Sequence, residues 1–171
     1  MKIITVPEPF LITNSDFVLL LSGSITFSNW QDYVISHITP MDIVLLNTRD
    51  NQYPHVSQAL SKRCELWISD ALEIADVYTM YIEPSNELND SYMKCIFELG
   101  RAVKVMERRF PTSWKERMII TISDDYRFKK SLTKLLELEG VYSASFDGLP
   151  NSTEDDHYKK INLFLENYKY K

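Results

Sequence analysis

Glycine and cysteine are both scarce in this chain, at four and two of its 171 residues. Two cysteines, Cys64 and Cys95, cannot build a disulfide framework, so a reducing compartment is expected. No apolar run is long enough to cross a bilayer, since the longest spans only Phe17 to Leu21. The first residues, Met-Lys-Ile-Ile-Thr-Val-Pro-Glu-Pro, lack the sustained apolar segment and small-residue cleavage site of a secretory leader. A soluble, cytoplasmic protein without membrane association is therefore expected. Excess positive charge is missing too: 19 Lys and Arg stand against 24 Asp and Glu, for a net charge of −5. A protein that neutralises many phosphates shows the opposite sign, which argues against duplex nucleic acid. His37, His55 and His157 have no metal-ligand spacing with the cysteines, so no metal is expected. What is present is ordinary for a globular chain: 44% hydrophobic and 25% charged residues, with a high 12% of aromatics. The length suits a single domain over 1–171, at about 150 residues per domain.

Apolar runs alternate with longer amphipathic stretches. Phe17–Leu21 ends in Ser22-Gly23-Ser24 and reads as a buried parallel strand. Trp30, Tyr33, Val34 and Ile38 then recur at helical spacing, with Ser28 or Asn29 as N-cap and Pro40 as stop. Asp42–Leu46, Val77–Ile82 and Met118–Ile122 are further strands, and Val141–Phe146 a weaker fifth. Helices are expected over 57–75, 91–107, 128–138 and 155–168. Such alternation implies an α/β fold of three layers, flavodoxin- or Rossmann-like. About five mostly parallel strands would carry helices on both faces.

In such sheets ligands bind beyond the carboxyl ends of the strands. The loops to weigh are 22–28, 47–55, 83–90 and 123–127. Gly23 directly follows a strand, where it either lets backbone approach a ligand or makes a tight turn. Neither a Gly-x-Gly-x-x-Gly fingerprint nor a P-loop surrounds it. Gly100 sits inside a helical pattern, at a cost of about 1 kcal/mol relative to alanine. That cost suggests close packing against the sheet or room for a ligand. Glu98 lies beside apolar Phe97 and Leu99, where a carboxylate edging into a buried face would be desolvated and perturbed.

These residues carry a resemblance. Phe17-Val-Leu-Leu-Leu-Ser-Gly-Ser-Ile25 followed by Trp30-Gln31 is similar to the phe-leu-ala-gly-ser-ile and trp-gln opening of nucleoside 2-deoxyribosyltransferase-like proteins. Asn47-Thr48-Arg49 resembles their asn-pro-arg segment. Trp67 and Asp76 resemble their helix-to-strand junction, and Glu98-Leu99-Gly100 their nucleophile helix. Glu98-Leu-Gly-Arg-Ala-Val103 also looks like the related 2′-deoxynucleoside 5′-phosphate N-hydrolases. The matches run in order from 17 to 103, about half the chain.

The resemblance implies cleavage or transfer at an N-glycosidic bond of a 2′-deoxynucleoside or deoxynucleotide, without a cofactor. Glu98 would attack C1′ and form a covalent deoxyribosyl intermediate. A second carboxylate must protonate the leaving base. The family's helix acid falls where this chain has Ile68, which leaves Asp70, two residues on and about 200° around the helix, and Glu65, one turn earlier on roughly the same face. A family residue six positions before the nucleophile falls on Tyr92, with Asp90 two positions earlier. Asp76 matches the family but reads as a junction-fixing acid. Substrate-binding candidates are Ser22, Gly23, Ser24, Trp30, Asn47, Arg49 and Tyr92. Trp30 could equally be core, and Asn47 and Arg49 could equally cap their loop. Asp124 to Arg127 could line the site. The resemblance also implies a homo-oligomer. Two other readings stand beside the enzyme: a nucleotide-binding or sensing domain that lost its acid partner, and a protein-interaction module.

Overall fold

The structure, a computed structural model, describes residues 1–13, 16–23, 29–38, 41–49, 58–84, 90–141 and 153–169, with backbone alone for 58–61, 90–92 and 169. The elements run β1 (Lys2–Thr5), β2 (Val18–Gly23), α1 (Trp30–His37), β3 (Val44–Asn47), α2 (Gln58–Ile74) and β4 (Val77–Ile82). They continue with α3 (Asp90–Arg109), a 3-10 turn at Lys115–Arg117, β5 (Met118–Ile122), α4 (Lys129–Glu139) and α5 (Glu154–Lys169). All strand pairs are parallel, in the order β1-β3-β2-β4-β5. The chain steps from β2 outward to β3 and then returns to place β4 on the other side. The strand order therefore reverses between β2 and β4.

Every residue of β3, β4 and β5 is buried, as parallel strands covered on both faces require. Alternate strand residues feed two cores. Val18, Leu20, Tyr78, Met80 and Ile120 pack under α2, α3 and α4 through Trp67, Leu72, Leu99, Met106 and Leu132. Leu19, Leu21, Val77, Tyr81 and Ile119 pack under α1 and α5 through Trp30, Val34, Ile161 and Leu165. The three-layer α/β architecture is thus present.

The fifth strand differs from expectation. It is β1, paired to β3 with Ile4 opposite Leu46. Only Ile4 of its four residues is buried, so an edge strand this short gives little pattern to read. Val141 is buried but lies in no strand, and 142–146 fall outside the described residues.

Local chemistry fixes the helix ends. Gly140 closes α4 in the left-handed conformation at φ 69°. At the start of α5, the Asp156 amide donates to Thr153 Oγ1 (3.1 Å) and the Thr153 amide to Asp156 Oδ2 (2.9 Å), a reciprocal cap. Among the described residues, no helix is long and apolar enough to cross a membrane.

Candidate active site

Ser22 sits near the carboxyl end of β2 with no solvent exposure, beside the reversal in strand order. Its side chain points to the α3 face, alternating with Leu19 and Leu21 on the other. There its hydroxyl donates to Oε1 of Glu98 in a short hydrogen bond. The Tyr78 hydroxyl, from β4, donates to the same oxygen at 3.4 Å. Among the described residues, Oε2 receives no hydrogen bond. Hydroxyls from two strands therefore converge on one oxygen of the helix-borne Glu98.

Leu99, Ala102, Val103 and Met106 turn the buried face of α3 to the sheet, and Glu98 lies at its margin, half-buried. Desolvation raises its carboxyl pKa above the ordinary value. The hydrogen bonds from Ser22 and Tyr78, and then the charge of Arg101, act the other way. Burial, helped by the Glu98 charge, pushes the Tyr78 phenol well above its usual range, so it stays a neutral donor. Cys95, one turn before Glu98, is raised to about 12 by burial and then by the charges of Glu98 and Glu83, which keeps the thiol inert.

Glu83 lies one residue beyond β4 and is fully buried. Its charge reaches Cys95 on the α3 side and Tyr81 on the α5 side. Sequence reasoning placed it in the loop 83–90 to be weighed but gave it no role of its own. Its signal was there: a carboxylate immediately past the carboxyl end of a strand next to the reversal.

Gly23 has φ 140°, and a Cβ there would run into the Tyr81 carbonyl oxygen. Its close approach is to the neighbouring strand. Asn47 is 5% exposed, and its Oδ1 accepts from the Arg49 amide at 3.0 Å. The Arg49 guanidinium donates to the Asn29 side chain, tying this loop to the head of α1. These geometries are those of loop caps.

Two expectations, and one of the two readings of Gly100, need correction. Trp30 is fully buried on the α1/α5 side, edge-on to Tyr81 and His157, so no base can stack on it. Asp70 is exposed and is not brought to Glu98. The buried stripe of α2, Trp67, Ala71 and Leu72, turns it away, one turn from the helix end that feeds the amino end of β4. Gly100 is not closely packed: it is exposed, and a Cβ there meets nothing within 4 Å. Asp90 opens α3 and Tyr92 follows in its first turn, with their side chains outside the described residues, as is Ser24 altogether. Asp124 to Arg127 line an open groove of about 1210 Å³ along α4, where Lys129 bridges Asp124.

Asp76 fixes its junction: its Oδ2 accepts from the Val18 amide at 2.9 Å, and its own amide donates to the Val18 carbonyl at 2.8 Å. Two arginines, at the end of α3 and just before β5, serve the same region. Arg109 donates to the terminal carbonyls of Ile74 and Ala75, and Arg117 to that of Asp76.

A second polar set lies under α5. His157 Nδ1 is 3.0 Å from Thr121 Oγ1, which also accepts from Lys160 at 3.5 Å. Burial lowers His157 to about 3 and Lys160 to about 8. Among the described residues, both amide atoms of Gln31 and Nε2 of His157 have no partner. No three His, Cys, Asp or Glu side chains among the described residues converge as metal ligands would. No family model matches the chain, and no curated protein matches it.

Proposed function

We propose that the chain cleaves or transfers at the N-glycosidic bond of a 2′-deoxynucleoside or deoxynucleotide, with Glu98 as nucleophile. The observation that carries this reading is the asymmetric hold on Glu98 by Ser22 and Tyr78. With Oε1 engaged by two hydroxyl donors, Oε2 attacks C1′. The C1′–N bond breaks, its electron pair leaves with the base, and an acid delivers a proton to that base. A second base or water then attacks C1′, losing its proton to the same group, and the Glu98 carboxylate departs into its two hydrogen bonds. No cofactor takes part. A cytoplasmic setting goes with the two free cysteines, and a homo-oligomer goes with the apolar surface on α3.

The acid is the open position, since Asp70 faces solvent. Two carboxylates belong to the carboxyl edge by topology, Glu83 after β4 and Asp90 at the head of α3. Glu83 is the better candidate, because its charge reaches the same Cys95 thiol as that of Glu98. The exposed Asp70 also supports a second reading, a binding or sensing domain that retains the site without turnover.

The test is a panel of deoxynucleosides and their 5′-monophosphates, with and without an acceptor base, read by chromatography. Base release is expected from wild type, and Glu98→Gln should lower it on the order of 10⁴-fold with folding intact. The rate should rise with pH through a value above that of an ordinary glutamate, because Glu98 must be ionised to attack. Binding without release would decide for the sensing domain. Neither release nor binding would sink both.

A further inference from the structure

Trp30 and Gln31 open α1 side by side, and the fold accounts for only the first. Trp30 is edge-on to Tyr81 and His157. Gln31 is equally enclosed, with no solvent exposure, yet among the described residues neither its amide nitrogen nor its amide oxygen has a hydrogen-bond partner. Around the helix axis Val34 falls between the two, about 40° from Trp30 and about 60° from Gln31. They therefore flank the buried stripe of α1, Trp30 towards β4 and α5 and Gln31 towards β3. A buried amide without partners is destabilising, because nothing replaces the bonds it made to water.

Amides and a guanidinium make up this part of the carboxyl edge. The Arg49 guanidinium donates to the Asn29 side chain, which holds the segment after β3 against the head of α1. Asn47 ends β3 on the α1 face, alternating with Leu46 on the other, and is 5% exposed. Its Oδ1 accepts from the Arg49 amide, and among the described residues its Nδ2 donates to nothing. On the other side of β2, Ser22 reaches Glu98. Gly23 then ends β2 with no side chain to stand between Gln31 and Glu98.

We propose that Gln31 reads the base: its amide donates to and accepts from the edge of the nucleobase whose C1′ meets Glu98. A carboxamide with both atoms unpartnered matches a group that presents a donor and an acceptor side by side, as the nucleobases do. A phosphate offers acceptors alone and would leave the amide oxygen orphaned. The enclosed setting makes the contact selective, because a ligand lacking that edge leaves both amide atoms unsatisfied. The choice of a base rests on the glycosidic reading, whereas the orphaned amide does not.

Gln31→Met keeps the size of the side chain and removes both amide atoms, and Gln31→Leu is an independent apolar replacement. By relieving an orphaned group, each should raise the thermal midpoint of the ligand-free protein by roughly 3–8 °C. In the same variants kcat/KM for release of the natural base should fall on the order of 10–100-fold. Cleavage of 4-nitrophenyl 2-deoxyriboside, whose leaving group offers no donor, should stay unchanged. A gain in stability with a loss confined to natural bases supports the assignment. A fall in stability shows that the amide serves the fold, and equal losses on both substrates show that it acts through Glu98; either overturns the assignment. An unchanged kcat/KM also overturns it, and leaves the amide to a trapped water. If wild type releases no base, the glycosidic reading fails, and calorimetric titration with deoxyadenosine, deoxyguanosine, deoxycytidine and thymidine then decides for Gln31. Binding weakened by Gln31→Met keeps the site, and binding that is equal or absent removes it.

Discussion

Glu98 shows how one carboxylate is made asymmetric by its neighbours. Ser22 and Tyr78 both donate to Oε1, so in the proposed reaction Oε2 is the oxygen left to attack. If Glu83 donates the proton, its loss should matter only where the leaving group needs one. Glu83→Gln is expected to slow release of a natural base roughly 10²–10⁴-fold. It should leave cleavage of 4-nitrophenyl 2-deoxyriboside, whose phenolate leaves unaided, nearly unchanged. Equal losses on both substrates would rule out that role, and the same comparison with Asp90→Asn would show whether the role belongs there. At this scale the sequence was legible for Glu98, whose position beside Leu99 at a buried margin follows from helical spacing. It was misleading for Trp30 and Asp70. Helical period alone does not say on which side of the sheet a helix packs, nor which end of the sheet a residue reaches.

Elements bring the two informative glycines into contrast, since the same substitution should have opposite signs in a strand and in a helix. Gly23→Ala puts a Cβ against the Tyr81 carbonyl at φ 140°, and should destabilise the fold by roughly 2–4 kcal/mol. Gly100→Ala adds a methyl into open space and should stabilise the monomer by about 1 kcal/mol. Urea unfolding of both variants beside wild type checks the pair, and two shifts of the same sign would refute it. Four of the five strands and all five helices could be read from alternating apolar runs and amphipathic periods. The edge strand β1 could not, because four residues with one buried side chain carry no periodic signal.

Across the whole molecule, two buried groups set opposing dependences on pH. His157 titrates at about 3 in the folded state against 6.5 when exposed, so its burial contributes stability above pH 6.5 that is lost as pH falls towards 3. Glu98, raised by desolvation, has the reverse sign: its contribution is present below 4.5 and fades as pH rises through its folded value. An NMR titration should find the His157 ring neutral down to pH 4, and a ring that charges near 6.5 would contradict its buried setting. The α/β class and its layers could be read from the sequence. The pairing of β2 with β4 could not, because strand order depends on which crossovers the helices allow.

That central pairing carries a consequence for how the chain acquires its chemistry. Val18 and Asp76 meet across 58 residues, and Ser22 and Glu98 across 76, whereas each helix forms from neighbours in sequence. Closing such long loops comes at an entropic cost that only the finished ladder repays. The contacts that seat Glu98 are therefore expected to form later than the helices themselves.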